Sequence, residues 1–583
     1  ELGSQGNNLS ASIKKQIEDL NLSGIEFSES NSRYYPLGDF CSYIVGYAKS
    51  YEDQSIKKMV GEMGLELSYD KTLKGKNGYK VYQTDANGYA LVDGTLREKD
   101  PTNGQDIYLT IDSGLQRDLD YLMSNAYNES GAQVVTAGVM EIKTGRILAM
   151  STYPSFNPNE RNISTFNNYF LEGTIECGSV FKPFIYADSI EEGKYDHNAY
   201  YNSGMYNVYY GNKLVATIKD HNHGQGWGSI TYDQGLYHSS NVAICNLLDK
   251  GYVTKEVLTE KLNDLGFFQG DTMDGLACSS SINAYTRSSA GKLEYLTTGF
   301  GQGSTVTPYQ LLKAYSVFGN GGKTVQPHVV EKIVDPDTNK VTYQATTQYS
   351  KQIFSENTVK EVRDLMLGVI EDQQGTGKNY RLDNGVRMIG KTGTGQVVEN
   401  GGYSTSVYMH SFVGLAPYED PQVVMFITFK SGDSYAQYMP NIVKQTMTSA
   451  LQVVNQYNAP DEKTVDESYT LDSYTNQSVN YVKSKLESKS LNVQVIGNGG
   501  SVIEQYPLAR SKVTSGDKIF IKTEGTDITL PDLTGWSKKE VQTYASLAEI
   551  QLVIEGTSGH VTSQSIEANQ VIHKGDSLSI TLS

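Results

Sequence analysis

At 583 residues the chain is long enough for roughly three to four domains. Its 38% hydrophobic content is that of a globular protein with a large core, while a formal net charge of -17 with no basic stripe argues against nucleic acid or anionic lipid as a partner. The four cysteines Cys41, Cys177, Cys245 and Cys278 are too scattered for a disulfide framework. No apolar run approaches the about eighteen residues of a membrane helix. The chain opens Glu1-Leu2-Gly3-Ser4, without initiator methionine or signal peptide, so a missing front end carrying a single-pass membrane anchor is expected.

Residues 1–106 mix a polar helix at 9–20 with turn-rich segments such as Asp85-Ala86-Asn87-Gly88, and they gather no reactive side chains. They read as a stalk or docking module. From 107 the pattern is denser: residues 106–112 alternate like a strand, and Asp112 or Ser113 caps a helix bearing Leu115, Leu119 and Leu122. Runs at 133–142 and 146–153, joined by Lys143-Thr144-Gly145, predict a hairpin. A long, mainly helical block spans 170–314. Strands return at 386–391, 410–415 and 423–429, and a helix at 439–454 closes the unit. Strands, then helices, then strands predict an α+β domain over 107–457 whose sheet is assembled from both ends of the segment.

The tail repeats itself. At an offset of 59 residues, Gln505-Tyr506-Pro507 falls on Gln564-Ser565-Ile566 and Gly516-Asp517 on Gly575-Asp576. The same offset lays Leu491, Val493, Val495 and Gly497 on Ile550, Leu552, Ile554 and Gly556. A solenoid needs more copies, so the tail reads as two small modules, 458–524 and 525–583.

Chemistry concentrates at Glu176-Cys177-Gly178-Ser179-Val180-Phe181-Lys182-Pro183. On a helix, Ser179 and Lys182 share a face one turn apart. A serine hydroxyl becomes a nucleophile when a base takes its proton, and a lysine serves if burial and a second cation hold it neutral. Pro183 fits only in a helix's first turn, which places Ser179 at the helix mouth. The pair alone is weak evidence, but downstream partners supply what acyl transfer needs: a proton shuttle, a cation for a carboxylate, and donors for an oxyanion. Ser239-Ser240-Asn241 precedes an apolar helix at 242–248. Lys391-Thr392-Gly393-Thr394 follows the strand-like run at 386–390, and Gly393 lets a ligand backbone lie close along the strand edge. Ser281-Ile282-Asn283 and Ser355-Glu356-Asn357 share the Ser-x-Asn form, and Lys143-Thr144-Gly145 repeats the third triplet but comes before the nucleophile and reads as a hairpin turn.

Taken together, Ser179-Val180-Phe181-Lys182, Ser239-Ser240-Asn241 and Lys391-Thr392-Gly393-Thr394 resemble the three motifs of penicillin-binding protein transpeptidases. Arg33-Tyr34-Tyr35-Pro36-Leu37-Gly38 with Val45-Gly46-Tyr47 is similar to the N-terminal pedestal of class B members. So are Gly299-Phe300-Gly301-Gln302-Gly303 and Ser411-Phe412-Val413-Gly414-Leu415-Ala416-Pro417 to class B patterns. The tail modules resemble PASTA domains, the second with Pro531-Asp532-Leu533-Thr534-Gly535 and the first departing at Asp472-Ser473-Tyr474-Thr475-Asn476. The resemblance implies an antiparallel sheet flanked by helices, as in serine β-lactamases. It implies that Ser179 attacks the penultimate D-Ala carbonyl of a peptidoglycan stem peptide, which β-lactams mimic, and that Lys182 accepts the hydroxyl proton. Ser239 and Asn241 would relay protons and hold the substrate amide, Lys391 with Thr392 or Thr394 would bind the carboxylate, and the N–H groups of Ser179 and Thr394 would form the oxyanion hole. Implied partners are a membrane-embedded glycan polymerase and division or elongation proteins, at the extracytoplasmic face of a Gram-positive membrane.

One cluster stands apart from the motifs. Cys177, two residues before the nucleophile, with Asp220, His221 and His223 in the loop before Ser239, has the ligand types of a structural Zn²⁺ site, with His238 a further candidate. The chemistry itself requires no cofactor. The alternative makes Cys177 a buried filler, His223-Gly224 a turn, Asp220 a cap and His238 a packing residue. Two other readings compete with a transpeptidase: a β-lactamase, for which no carboxylate is evident to activate water, and a β-lactam or cell-wall sensor with vestigial turnover.

Overall fold

The computed structural model describes residues 11–20, 22–27, 33–53, 56–87, 90–399, 401–458, 469–487, 489, 491–513, 517–556 and 560–582. Leu9, Gly88 and Gly516, on which parts of the reading above rest, lie outside the described residues. The chain divides into two compact units, Glu1–Asn458 and Ala459–Ser583.

The central sheet of the first unit has five antiparallel strands in the order Ile389–Glu399, Gly402–Ala416, Val423–Ser431, Val134–Glu141, Ile147–Tyr153. It is built from both ends of the segment, and the predicted hairpin forms its far edge. Strand period sorts side chains between two cores. Val423, Met425, Ile427 and Phe429 pack with Leu119, Met123, Ile442 and Met447 on one face. Val424 and Phe426 join Phe181, Phe184, Leu311 and Phe318 on the other. With both faces covered, the middle strand reads as a continuous apolar run. The first face carries the helices Ser113–Ser130 and Met439–Asn458; Asp112 caps the former, its Oδ1 accepting from Leu115 N at 2.8 Å.

The block at 170–314 is more mixed than expected. Helices Lys182–Glu191, Tyr232–Tyr237, Asn241–Asp249, Lys255–Asp264, Lys292–Thr298 and Pro308–Tyr315 alternate with small hairpins. Met205–Tyr210 pairs with Lys213–Lys219, and Tyr200–Asn202 with Ser229–Thr231. Val208 and Ile218 turn inward while Met205, Tyr209 and Leu214 stay exposed, the alternation of a one-sided sheet. The strand expected at 386–391 begins at Ile389 and continues to Glu399. Gly390, Gly393 and Gly395 hide it from strand propensity.

Toward the N-terminus, Glu66 is buried and organises the Arg33 to Tyr35 stretch. Its Oε1 accepts from Arg33 Nε at 2.7 Å, and the Tyr35 hydroxyl, 3.4 Å from the same oxygen, accepts from Ala48 N at 2.7 Å.

In the second unit, Asn492–Ile496 pairs parallel with Lys518–Thr523, which pairs antiparallel with Val502–Tyr506. Gln551–Glu555, Ser577–Leu582 and Val561–Gln564 repeat the arrangement. The registers Asn492↔Lys518 and Gln551↔Ser577 differ by the same 59 residues that the sequence repeat shows.

Candidate active site

Ser179 lies in the 3₁₀ turn Gly178–Phe181, which runs directly into the helix Lys182–Glu191. Pro183 occupies that helix's first turn, where no backbone donor is lost. The turn is pressed between a loop and the edge strand. Gly178 N–H donates to Gly301 O at 3.0 Å, and a Cβ on Gly178 (φ 60°) would lie 2.3 Å from Thr394 O. A Cβ on Gly393 would lie 2.7 Å from Cys177 O, so glycine in the third motif is what allows strand and nucleophile turn to meet at backbone distance. Ser179 is partly exposed.

Lys182, Ser239 and Lys391 are brought together. Lys182 Nζ donates to Ser239 O at 2.5 Å and lies 3.4 Å from Ser239 Oγ. Lys391 Nζ donates to the same Oγ at 2.8 Å and to Thr392 O at 2.9 Å. Both lysines are fully buried. Burial pulls Lys182 down to about 7, against the opposing influence of Asp220 and Cys245. Burial first, and then the neighbouring Lys182, hold Lys391 well below the usual lysine range. Ser239 presents carbonyl and hydroxyl to the two amines by adopting φ 57°, a left-handed conformation that costs a non-glycine residue of order 1–3 kcal/mol.

That conformation is anchored from the next residue. Ser240 caps the helix Asn241–Asp249, its Oγ accepting from Ala243 N at 3.1 Å and donating to Asp220 Oδ1 at 2.8 Å. Asn241 Nδ2 donates to Lys219 O at 2.9 Å. On the third motif, Thr392 Oγ1 donates to Thr376 Oγ1 at 2.9 Å, and Thr394 is exposed. Among the described strands, Ile389–Glu399 pairs only with Gly402–Ala416, so its outer edge along 391–395 has no partner strand.

Cys177, Asp220, His221 and His223 are not gathered into a zinc site in this structure. Among the described residues no group of three or more His, Cys, Asp or Glu side chains is placed to hold a metal ion. Asp220 spends both oxygens on other donors: Oδ1 accepts from Ser240 Oγ and Val242 N, and Oδ2 from Gly204 N at 2.8 Å. Cys177 is buried in the apolar core, where burial pushes its thiol well up. His221 Nε2 faces His238 O at 3.0 Å. His223, at φ 61°, forms a turn with Gly224, whose N–H donates to Asp220 O at 3.0 Å. His238 stacks on Trp227 with centroids 4.8 Å apart. The four residues are therefore a filler, a cap and loop residues.

Two contacts escaped the sequence reading. The Tyr403 hydroxyl donates to Glu176 Oε1 at 2.9 Å, tying the hairpin after the third motif to the nucleophile turn. Thr376 touches the third motif from the loop that precedes it, 16 residues before Thr392; its signal is the flanking pair Gly375 and Gly377, since glycine marks close backbone approach.

The profile of the penicillin-binding protein transpeptidase domain matches residues 135–452, that of the penicillin-binding protein dimerisation domain residues 5–109, and that of the PASTA domain residues 469–525 and 528–583. The chain is 31% identical over 537 residues to Stage V sporulation protein D of Bacillus subtilis, covering 89% of this chain and 79% of that protein. It is 29% identical over 441 residues to the peptidoglycan D,D-transpeptidase FtsI homolog of Mesostigma viride, covering 71% and 70%. Among solved structures, penicillin binding protein 2X from Streptococcus thermophilus superimposes with a TM-score of 0.65 at 26% identity, covering 98% of this chain and 86% of that one. With the transpeptidase profile spanning more than half of its length, the chain belongs to the class B penicillin-binding proteins.

Proposed function

We propose that this transpeptidase is a serine-type D,D-transpeptidase that crosslinks the stem peptides of peptidoglycan and is acylated by β-lactams at Ser179. The observation that supports it best is the position of Ser239 between two buried lysines, with Lys182 on its carbonyl and Lys391 on its hydroxyl. A neutral Lys182 has two N–H groups, both directed at Ser239, and keeps its lone pair for the Ser179 proton. Ser179 Oγ then bonds to the carbonyl carbon of the penultimate D-Ala, the bond to the terminal D-Ala nitrogen breaks, and that nitrogen leaves with a proton relayed through Ser239. An acceptor amine next attacks the ester, forms the crosslinking amide and returns a proton to Ser179 Oγ. Accepting hydrogen bonds from both lysines leaves the Ser239 O–H free to point at the leaving nitrogen.

The substrate carboxylate falls to Lys391, Thr392 and Thr394, Gly393 admits the peptide along the unpaired strand edge, Asn241 holds the substrate amide, and the N–H groups of Ser179 and Thr394 take the oxyanion. No cofactor enters these steps. We place the division of the chain at 1–106, 107–457, 458–524 and 525–583, and the enzyme at the extracytoplasmic face of a Gram-positive membrane, where its substrate lies and a membrane-embedded glycan polymerase supplies it. Among the described residues no helix is long and apolar enough to cross a membrane.

The test is to incubate the protein with a stem pentapeptide ending in D-Ala-D-Ala and an amine acceptor. Stoichiometric D-Ala release together with the new amide is expected. Covalent labelling by penicillin with no D-Ala release would favour the sensor instead.

A further inference from the structure

The loop between the helix Glu356–Glu371 and the third motif carries Gly375-Thr376-Gly377, and it is seated closely. Gly377 N–H donates to Val369 O at 2.9 Å, and Gly375 N–H to Asp372 O at 3.0 Å. A Cβ on Gly375 would stand 2.4 Å from Val369 O, and one on Gly377 2.6 Å from the Ile370 side chain. Between these glycines, Thr376 touches both sides of the site. Its backbone N–H donates to Tyr237 O at 3.1 Å, two residues before Ser239, and its hydroxyl accepts from Thr392 Oγ1 at 2.9 Å. The same helix fixes Tyr237, whose ring fills the space beside Gly368, so that a Cβ there would meet the ring at 2.1 Å. Thr376 therefore bridges the segment that carries Ser239 and the strand that carries Lys391 and Thr392.

In this ligand-free arrangement the Thr392 proton is committed to Thr376. A substrate carboxylate accepts hydrogen bonds and donates none, so Thr392 can serve it only by turning its O–H away. A hydroxyl at 376 can reverse the bond, donating to Thr392 Oγ1 while Thr392 donates to the carboxylate. Both O–H groups only rotate, no atom is transferred, and each hydroxyl keeps its proton.

Resting on the reading above, we propose that Thr376 is a positioning residue for carboxylate recognition, orienting the Thr392 hydroxyl by reversing their shared hydrogen bond when a carboxylate binds. It makes no contact with the reacting carbonyl in this role. A hydrogen bond to a charged group is worth about tenfold or more in binding, whereas a general disturbance of the site affects every ligand alike.

The experiment compares acylation rate constants for a penicillin and for its methyl ester, which lacks the carboxylate, in the parent, Thr376→Val and Thr376→Ser proteins. The expected result is about a tenfold loss for the free acid in Thr376→Val, little change for its ester, and recovery to within about threefold of the parent in Thr376→Ser. Equal losses for acid and ester, or no loss for either, would overturn the proposal. If Thr376→Val fails to fold, the serine variant decides: acid and ester rates in the parent's ratio support the proposal, and a changed ratio despite the retained hydroxyl refutes it. Mass mapping of the acyl group on the parent keeps the two readings apart, because acylation elsewhere than Ser179 sinks the assignment of the nucleophile and not merely the role of Thr376.

Discussion

Lys391 Nζ stands 2.8 Å from the hydroxyl of Ser239, whose carbonyl is already occupied by Lys182. Two amines on one residue in a dry site cannot both be charged at little cost, and burial holds both below their usual range. With Lys182 titrating near 7, its free base grows as pH rises through that value. The acylation rate is therefore expected to climb about tenfold per pH unit below 7 and to level off above it. Rate constants for penicillin acylation between about pH 5.5 and 9 check this; a flat profile would move the base elsewhere.

Close backbone packing predicts a contrast between two glycines of the same hairpin. A Cβ on Gly395 would lie 1.6 Å from Glu176 O, an atom of the chain that cannot swing aside, while one on Gly402 meets nothing within 4 Å. Gly395→Ala is expected to cost about 1–3 kcal/mol or more and to slow acylation, because the Glu176 to Ser179 turn must shift. Gly402→Ala should change stability by less than about 0.5 kcal/mol. Denaturant unfolding of both variants gives the comparison.

The sequence carried much of this site, for reasons that differ from residue to residue. Ser179 and Lys182 were legible because helical spacing and Pro183 fix a local geometry, and Ser239-Ser240-Asn241 because it directly precedes an apolar run that forms a helix. Convergence of Lys182 and Lys391 on Ser239 was legible only through the order of three motifs, since nothing local joins residues so far apart. Asp220 was legible in two ways, as a metal ligand or as a cap, and the spacing did not choose between them. A carboxylate can equally satisfy the orphan N–H groups of a helix start, and here Val242 N and Ser240 Oγ claim it. Thr376 and the Tyr403 to Glu176 contact escaped because both are tertiary. The strand around Gly390, Gly393 and Gly395 was drawn too short because glycine's value there is close approach, which propensity counts against a strand.

Metal removal follows from the geometry of Cys177 and Asp220. Chelator treatment is expected to leave the melting temperature unchanged, since no ligand set is assembled among the described residues. Cys177→Ala should cost the packing of a small buried group, about 1 kcal/mol, with or without chelator. A chelator-dependent drop that Cys177→Ala abolishes would restore the metal site.

Histidine 197 gives a separate pH signature. Partial burial disfavours its charge, but Asp233 at 3.0 Å and Glu361 at 3.3 Å prevail and raise its pKa above 6.5. A raised folded pKa contributes stability that is fully present below the unfolded value and is lost as pH rises through the folded one. His197→Gln should therefore lower the melting temperature at pH 6 more than at pH 9. With the ring nearly half exposed, solvent screening keeps the difference small. Equal losses at both pH values would assign His197 a packing role only.

The central claim is that Ser179 is the residue acylated, and intact mass after incubation with a penicillin tests it most directly. The account predicts one added penicilloyl group, mapped by peptide digestion to Ser179. It also predicts no addition in Ser179→Ala, whose circular dichroism and melting temperature should match the parent because removing a partly exposed hydroxyl opens no cavity. An undiminished mass shift in a folded Ser179→Ala protein, or an acyl group mapped to another residue, would contradict it.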